Sequence, residues 1–154
     1  MHASLRTKNN LVGLVVSGMI AAAVWIFSSP RPVAPILIGG FFGLVVGLLQ
    51  DRSSRVVPEA FRRAAIGADV RDALKSNRAG RAAIKVHWIA TLVTIVAAIW
   101  VGKPLVGTIG GWALYACTRH LVVLPAVITL NRKEDAAGLP APESKSNTTP
   151  PPTV

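Results

Sequence analysis

Residues 33–49 read VAPILIGGFFGLVVGLL, seventeen positions without a charge, with glycine at 39, 43 and 47. A helix rises about 1.5 Å per residue, so such a run approaches the ~30 Å of a bilayer's hydrocarbon core. The four-residue spacing places Gly39, Gly43 and Gly47 on one face, where another backbone could approach closely.

Three further apolar runs lie outward from this one: Leu11 to Phe27, Val86 to Val101 broken chiefly by His87, and Leu105 to Leu130 broken by Arg119 and His120. Four such runs in 154 residues leave no room for a second globular unit. The net charge is +10 although 51% of residues are hydrophobic. The basic residues sit in the gaps between apolar runs, as in a membrane protein and unlike a soluble nucleic-acid binder. No aromatic interleaving or binding module supports nucleic acid as a partner. The single cysteine, Cys117, excludes an internal disulfide. Abundant Ala, Val, Gly and Arg suggest a bacterial chain. The first run continues through Val24-Trp25-Ile26-Phe27 past a small-residue stretch at Ala21 to Ala23, so it reads as an uncleaved span.

The fold class expected is therefore an all-α integral membrane protein: four transmembrane helices, as two helical hairpins joined by a basic amphipathic cytoplasmic segment. The membrane domain covers residues 1–130, with spans of about 11–28, 33–50, 86–102 and 104–123 and a cytoplasmic segment at 51–85. A polar, proline-rich tail at 131–154 reads as disordered. Ser28 to Pro32 and Gly102 to Pro104 are tight turns, because proline cannot continue a helix ladder. The long segment holds nine Lys or Arg against four Asp or Glu, and each tight turn holds one basic residue. The positive-inside rule then puts the N-terminus, the long segment and the C-terminus in the cytoplasm of a bacterial inner membrane.

The fourth run is long: Pro104 to Leu130 would extend about 40 Å as helix. The reading favoured by the cost of a deep arginine ends the span near Thr118 and lays Leu121 to Leu130 along the interface, broken at Pro125. A faint repeat links Ala22-Ala23-Val24-Trp25-Ile26 with Ala97-Ala98-Ile99-Trp100-Val101, and Ile38-Gly39-Gly40-Phe41 with Ile109-Gly110-Gly111-Trp112. Trp25, Trp88 and Trp100 fall near span ends, as interfacial anchors do, and Trp112 falls deeper, as a packing residue.

In the cytoplasmic segment, Pro58 suits a first helical position. Asp69 and Asp72 suggest a cap opening a second short helix, and Asn77 to Gly80 turns the chain into the third span. Arg52, Arg55, Arg62, Arg63, Arg71, Lys75, Arg78, Arg81 and Lys85 form a basic surface for anionic inner-leaflet lipid or a protein partner, or serve only to set topology. Gly39, Gly43, Gly47, Gly107 and Gly111 are the expected helix-packing positions, serving the monomer or a homo-oligomer.

None of the four apolar runs contains Asp or Glu, which disfavours proton- or cation-coupled transport. His87 and His120 lie 16 and 17 residues from Lys103, hence at nearly equal depth, and could ligate haem b. No other cofactor and no metal motif is indicated, and no nucleophile–base–acid set or phosphate loop is present, so the chain does not read as an enzyme. Two functions fit best: an accessory or scaffold subunit of a larger membrane assembly, or a pore-forming, holin-like oligomer. A bis-histidine haem subunit is a third.

Overall fold

A computed structural model describes residues 2–63 and 68–136. The side chains of residues 2–6, 59, 62, 63, 68, 69, 134 and 135 are excluded from that description. The order is α1 His2–Phe27, α2 Val33–Val56, α3 Pro58–Arg63, α4 Ala68–Lys75, α5 Arg78–Trp100 and α6 Pro104–Ala136. Four of these are long and apolar enough to cross a membrane: Thr7–Phe27 of α1, Val33–Val56, Arg78–Trp100 and Pro104–Lys133 of α6. The chain is all-helical among the described residues, with the composition of a multi-pass membrane protein.

The helix ends differ from those expected. The charges at Asp51 and Lys85 do not end the helices: α2 continues six residues past Gln50 and α5 begins eight residues before Val86. The helical hydrogen-bond ladder does not depend on side-chain polarity. The segment expected at 51–85 shrinks to the stretch between Val56 and Arg78. Pro58 opens α3 as its rigid φ favours. Helix α4 opens at Ala68, one residue before Asp69. Residues 64–67 lie outside the described residues.

Asn77 caps α5. Its side-chain oxygen accepts from the Gly80 backbone N–H at 2.8 Å, and its Nδ2 donates to Ser53 Oγ of α2 at 2.7 Å. Ser53 is fully buried, so this contact satisfies a hydroxyl that water does not reach. Asn77→Ala should cost about 1 kcal/mol for the cap and up to about 3 kcal/mol more for the orphaned Ser53. Thermal unfolding in detergent would read the loss, and Arg78→Ala, one residue further at an exposed position, should leave the transition unmoved.

Helix α5 ends on Gly102, whose φ of +68° is open to glycine and strained for other residues. Its N–H donates to the Ile99 carbonyl and that of Lys103 to the Ala98 carbonyl, both at 2.9 Å, a Schellman closure. Lys103 Nζ also donates to the Ser29 carbonyl at 3.2 Å, so the two tight turns lie together. Toward the opposite end, Asn131 Nδ2 donates to Thr7 Oγ1 at 2.6 Å, joining the end of α6 to the start of α1.

Helix α6 is the hub. It packs against α1, α2 and α5, and α2 packs also against α5. Helix α1 leans on α6 rather than on its sequence neighbour α2. The pairing within the first expected hairpin is therefore not the main contact. The expected halt near Thr118 is absent too: α6 runs through Arg119 and Pro125 without a break. Pro125 removes one hydrogen bond, to the Leu121 carbonyl. The flanking turns are anchored, by Val122 against Gly47 and by Asn131 on Thr7. The tail expected from Asn131 is helical to Ala136, and residues 137–154 lie outside the described residues.

Candidate functional site: a polar chain across the helix bundle

The core around the hub is built on missing side chains. A Cβ on Gly39 would overlap the Gly111 carbonyl oxygen, and one on Gly43 would overlap Thr118 Oγ1 and the Tyr115 carbonyl. A Cβ on Gly47 would sit 2.8 Å from Val122 Cβ. Gly107 meets Ala98 and Pro35, and Gly111 meets Thr94 and Pro35. An added Cβ at any of these five glycines would meet atoms of a neighbouring helix. The close approach lets the Thr118 hydroxyl share its one proton between the Gly40 carbonyl across the helices at 3.1 Å and the Leu114 carbonyl of its own helix at 2.9 Å. A homo-oligomer on the face of Gly39, Gly43 and Gly47 would have to displace α6.

Around that packing, Val46, Ala83, Ala90 and Tyr115 form a buried cluster, edged by Phe42, Leu49, Val86 and Trp112. His87 enters it from α5. Its ring lies 5.3 Å from that of Trp112 and 5.4 Å from that of Tyr115, and Trp112 and Tyr115 are 5.2 Å apart in an edge-on arrangement. Such pairs add about 0.5–1.5 kcal/mol each beyond area burial. Trp25, Trp88 and Trp100 are exposed, and Trp112 is half-buried.

The polar groups in the spans are joined. The Tyr115 hydroxyl lies 2.6 Å from His87 Nδ1. Arg119 Nη2 lies 3.2 Å from His120 Nε2, and His120 Nδ1 lies 2.8 Å from Asn10 Oδ1 of α1. A guanidinium only donates and an amide oxygen only accepts, which fixes the direction at His120. Arg119 donates to His120 Nε2, whose Nδ1–H donates to Asn10.

The two histidines face different cavities. His87 lines a small cleft with Trp112 and Tyr115, and His120 lines a different groove with residues of α1. Both ring nitrogens of His120 are engaged, so ligation of haem by His120 would require one of its two contacts to break. Equal depth was legible, but helix facing was not. Cys117 packs under Gly18 of α1, and no cluster of three or more His, Cys, Asp or Glu occurs among the described residues. Sequence reasoning missed Tyr115 and Asn10. Tyr115 stands four residues before Arg119 on one helix face, a signal present in the spacing. Asn10 and His120 are 110 positions apart, and no local pattern announces their contact.

Of the basic residues, Arg52, Arg55, Arg71, Lys75, Arg78, Arg81 and Lys85 are exposed. Arg55 pairs with Asp51 at 2.9 Å and Lys75 with Asp72 at 3.0 Å. Exposed ion pairs of this kind contribute little to stability, and both arginine and lysine retain donors for another partner. The side chains of Arg62 and Arg63 lie outside the described residues. No protein-family model, no curated protein and no solved structure matches the chain.

Proposed function

We propose that the protein is a non-enzymatic accessory or scaffold subunit of a larger membrane assembly. It is a bacterial inner-membrane protein with its N-terminus, its short α3–α4 segment and its C-terminus in the cytoplasm. The observation that carries this reading is the consumption of the glycine faces by α6 inside one chain, which makes a tightly packed unit. Around that unit stand aliphatic and basic outer surfaces on which other components can assemble. Leu37, Leu44, Leu48, Leu92 and Val96 are exposed along the spans. At one end Arg71, Arg78 and Arg81 are exposed and absent from the side-chain ion pairs described above. The orientation rests on the excess of nine basic over four acidic residues in 51–85.

The pore-forming, holin-like reading leaned on the same glycines, and their engagement with α6 removes its main support. The polar residues of the spans are also bonded to one another rather than strung along a single exposed stripe.

In-cell cross-linking followed by purification in mild detergent tests the proposal. A stoichiometric membrane-protein partner is expected, and its recovery should fall about tenfold or more when Arg71, Arg78 and Arg81 are all changed to Glu at unchanged abundance; a tenfold change corresponds to roughly 1.4 kcal/mol. A cross-linked species containing only this chain as a monomer would overturn it. Collapse of the membrane potential on induced expression would favour the pore instead.

A further inference from the structure

Helix α5 packs on α2, α4 and α6, and every exposed residue it has lies on the side turned away from them. Arg78, Arg81 and Lys85 follow at spacings of three and four residues, and Trp88, Leu92 and Val96 continue the row into the span. Such spacing keeps side chains on one helix face. The three cations are exposed, and their side chains enter no ion pair or hydrogen bond among the described residues. Helix α5 itself holds no acid. Asp51 and Asp72, the acids with described side chains at this end, are taken by Arg55 and Lys75. Asn77, bonded to Gly80 and to buried Ser53, holds the turn from which Arg78 and Arg81 project.

The row has a direction and a length. It is cationic at one end and apolar beyond. From Lys85 to Val96 is about 16 Å along the helix, close to half of the ~30 Å hydrocarbon core and hence to one leaflet. Its surface is bulky: no glycine, alanine or serine of α5 is exposed. Helix contacts within a bilayer are built on small residues, and those of α5 face inward, at Gly80, Ala83, Ala90 and Ala98. The outer face therefore suits fluid acyl chains better than a second helix.

We propose that the outer face of α5 is a binding site for an anionic phospholipid, with its phosphate on Arg81 and Lys85, flanked by Arg78, and one acyl chain along Trp88, Leu92 and Val96. The guanidinium of Arg81 offers a phosphate several donors in a fixed plane, and the Lys85 ammonium adds a mobile charge one turn deeper. The site belongs to the chain by itself. A lipid held here can also lie between α5 and a protein partner, so it rests neither on the scaffold reading nor on the orientation of the termini.

Trp88 supplies the readout. The full chain is purified without a partner and carries Trp25→Phe and Trp100→Phe, both at exposed positions. Emission then comes from Trp88 and Trp112, and subtracting the form that also carries Trp88→Phe isolates Trp88. In phosphatidylcholine bilayers, Trp88 should be quenched by chain-brominated phosphatidylglycerol at a mole fraction at least about fivefold lower than by brominated phosphatidylcholine. That is the factor one basic residue contributes near anionic lipid. Arg81→Gln with Lys85→Gln should abolish the preference. Arg132→Gln with Lys133→Gln, which removes the same charge from exposed positions at the end of α6, should leave it intact. Inorganic phosphate should not compete. Equal quenching by the two lipids, displacement by inorganic phosphate, or a preference lowered alike by the two double substitutions would overturn the assignment. So would shielding of Trp88 from both lipids, which would mean that a second copy of the chain covers the face.

Discussion

Gly39→Ala is expected to destabilise the protein strongly, at or above the upper end of the about 1–3 kcal/mol usual for overpacking. The added carbon would overlap the carbonyl oxygen of Gly111, and the Gly111 carbonyl carbon and Cα would lie 2.6 and 2.9 Å away. These are backbone atoms, so no rotamer change relieves the clash. Relief requires α2 and α6 to separate, which loosens the Gly43 and Gly47 contacts on the same face and the Thr118 bond to Gly40. In detergent, the expected outcome is a sharp fall in the unfolding midpoint or no folded protein at all. Gly102→Ala gives a contrast, because a Cβ there meets nothing within 4 Å and only the positive φ opposes it. A midpoint for Gly39→Ala equal to that of the parent would show that α2 and α6 do not pack in this register.

Tyr115→Ala is the second large effect. Tyr115 is 4% exposed, touches His87 and Trp112 ring to ring, and hydrogen-bonds His87. Truncating a buried aromatic costs about 3–5 kcal/mol. It also leaves His87 Nδ1 without this partner. Tyr115→Phe separates the two contributions: packing is kept and the hydroxyl lost, so the expected cost falls to about 1–3 kcal/mol. Unfolding midpoints of the two variants, with Trp112 emission as the local probe, check this. Equal losses would mean that the hydroxyl, rather than the ring, supplies the stability.

The presence of four apolar helices was legible because long uncharged runs carry their own evidence, as in residues 33–49. The faces of Gly39, Gly43 and Gly47 were legible from their spacing, yet their partner was not. Periodicity identifies which side of a helix is small and says nothing about what fills it. The choice of α6 over α1 as the neighbour of α2 depends on shape matching between Gly39 and Gly111, and between Gly43 and Thr118, residues more than seventy positions apart. The same limit hid the polar chain. His87 and His120 could be placed at similar depth by counting from Lys103, but Arg119, expected to mark where the span stops, instead lies inside α6 and hydrogen-bonds His120. Helix ends were misread for a different reason: Asp51 and Lys85 mark where the chain meets polar surroundings, and neither interrupts backbone hydrogen bonding. Asn77, with its side chain on Gly80 N–H, is a true boundary and was read near its position.

The position of α6 as the hub also dictates an order of assembly. Translation and insertion deliver α1 first and α6 last, yet α1 leans almost wholly on α6, through Gly13 against His120, Gly18 against Cys117 and Val24 against Gly110. The first helix must therefore wait in lipid, held in place only by its own apolarity, until about a hundred further residues have been made. Helix α2 meanwhile can find α5 but not the surface its glycines fit. The bundle closes in one late step as the last helix slides between partners already in the membrane, and a chain cut short before α6 would leave three spans with no common centre.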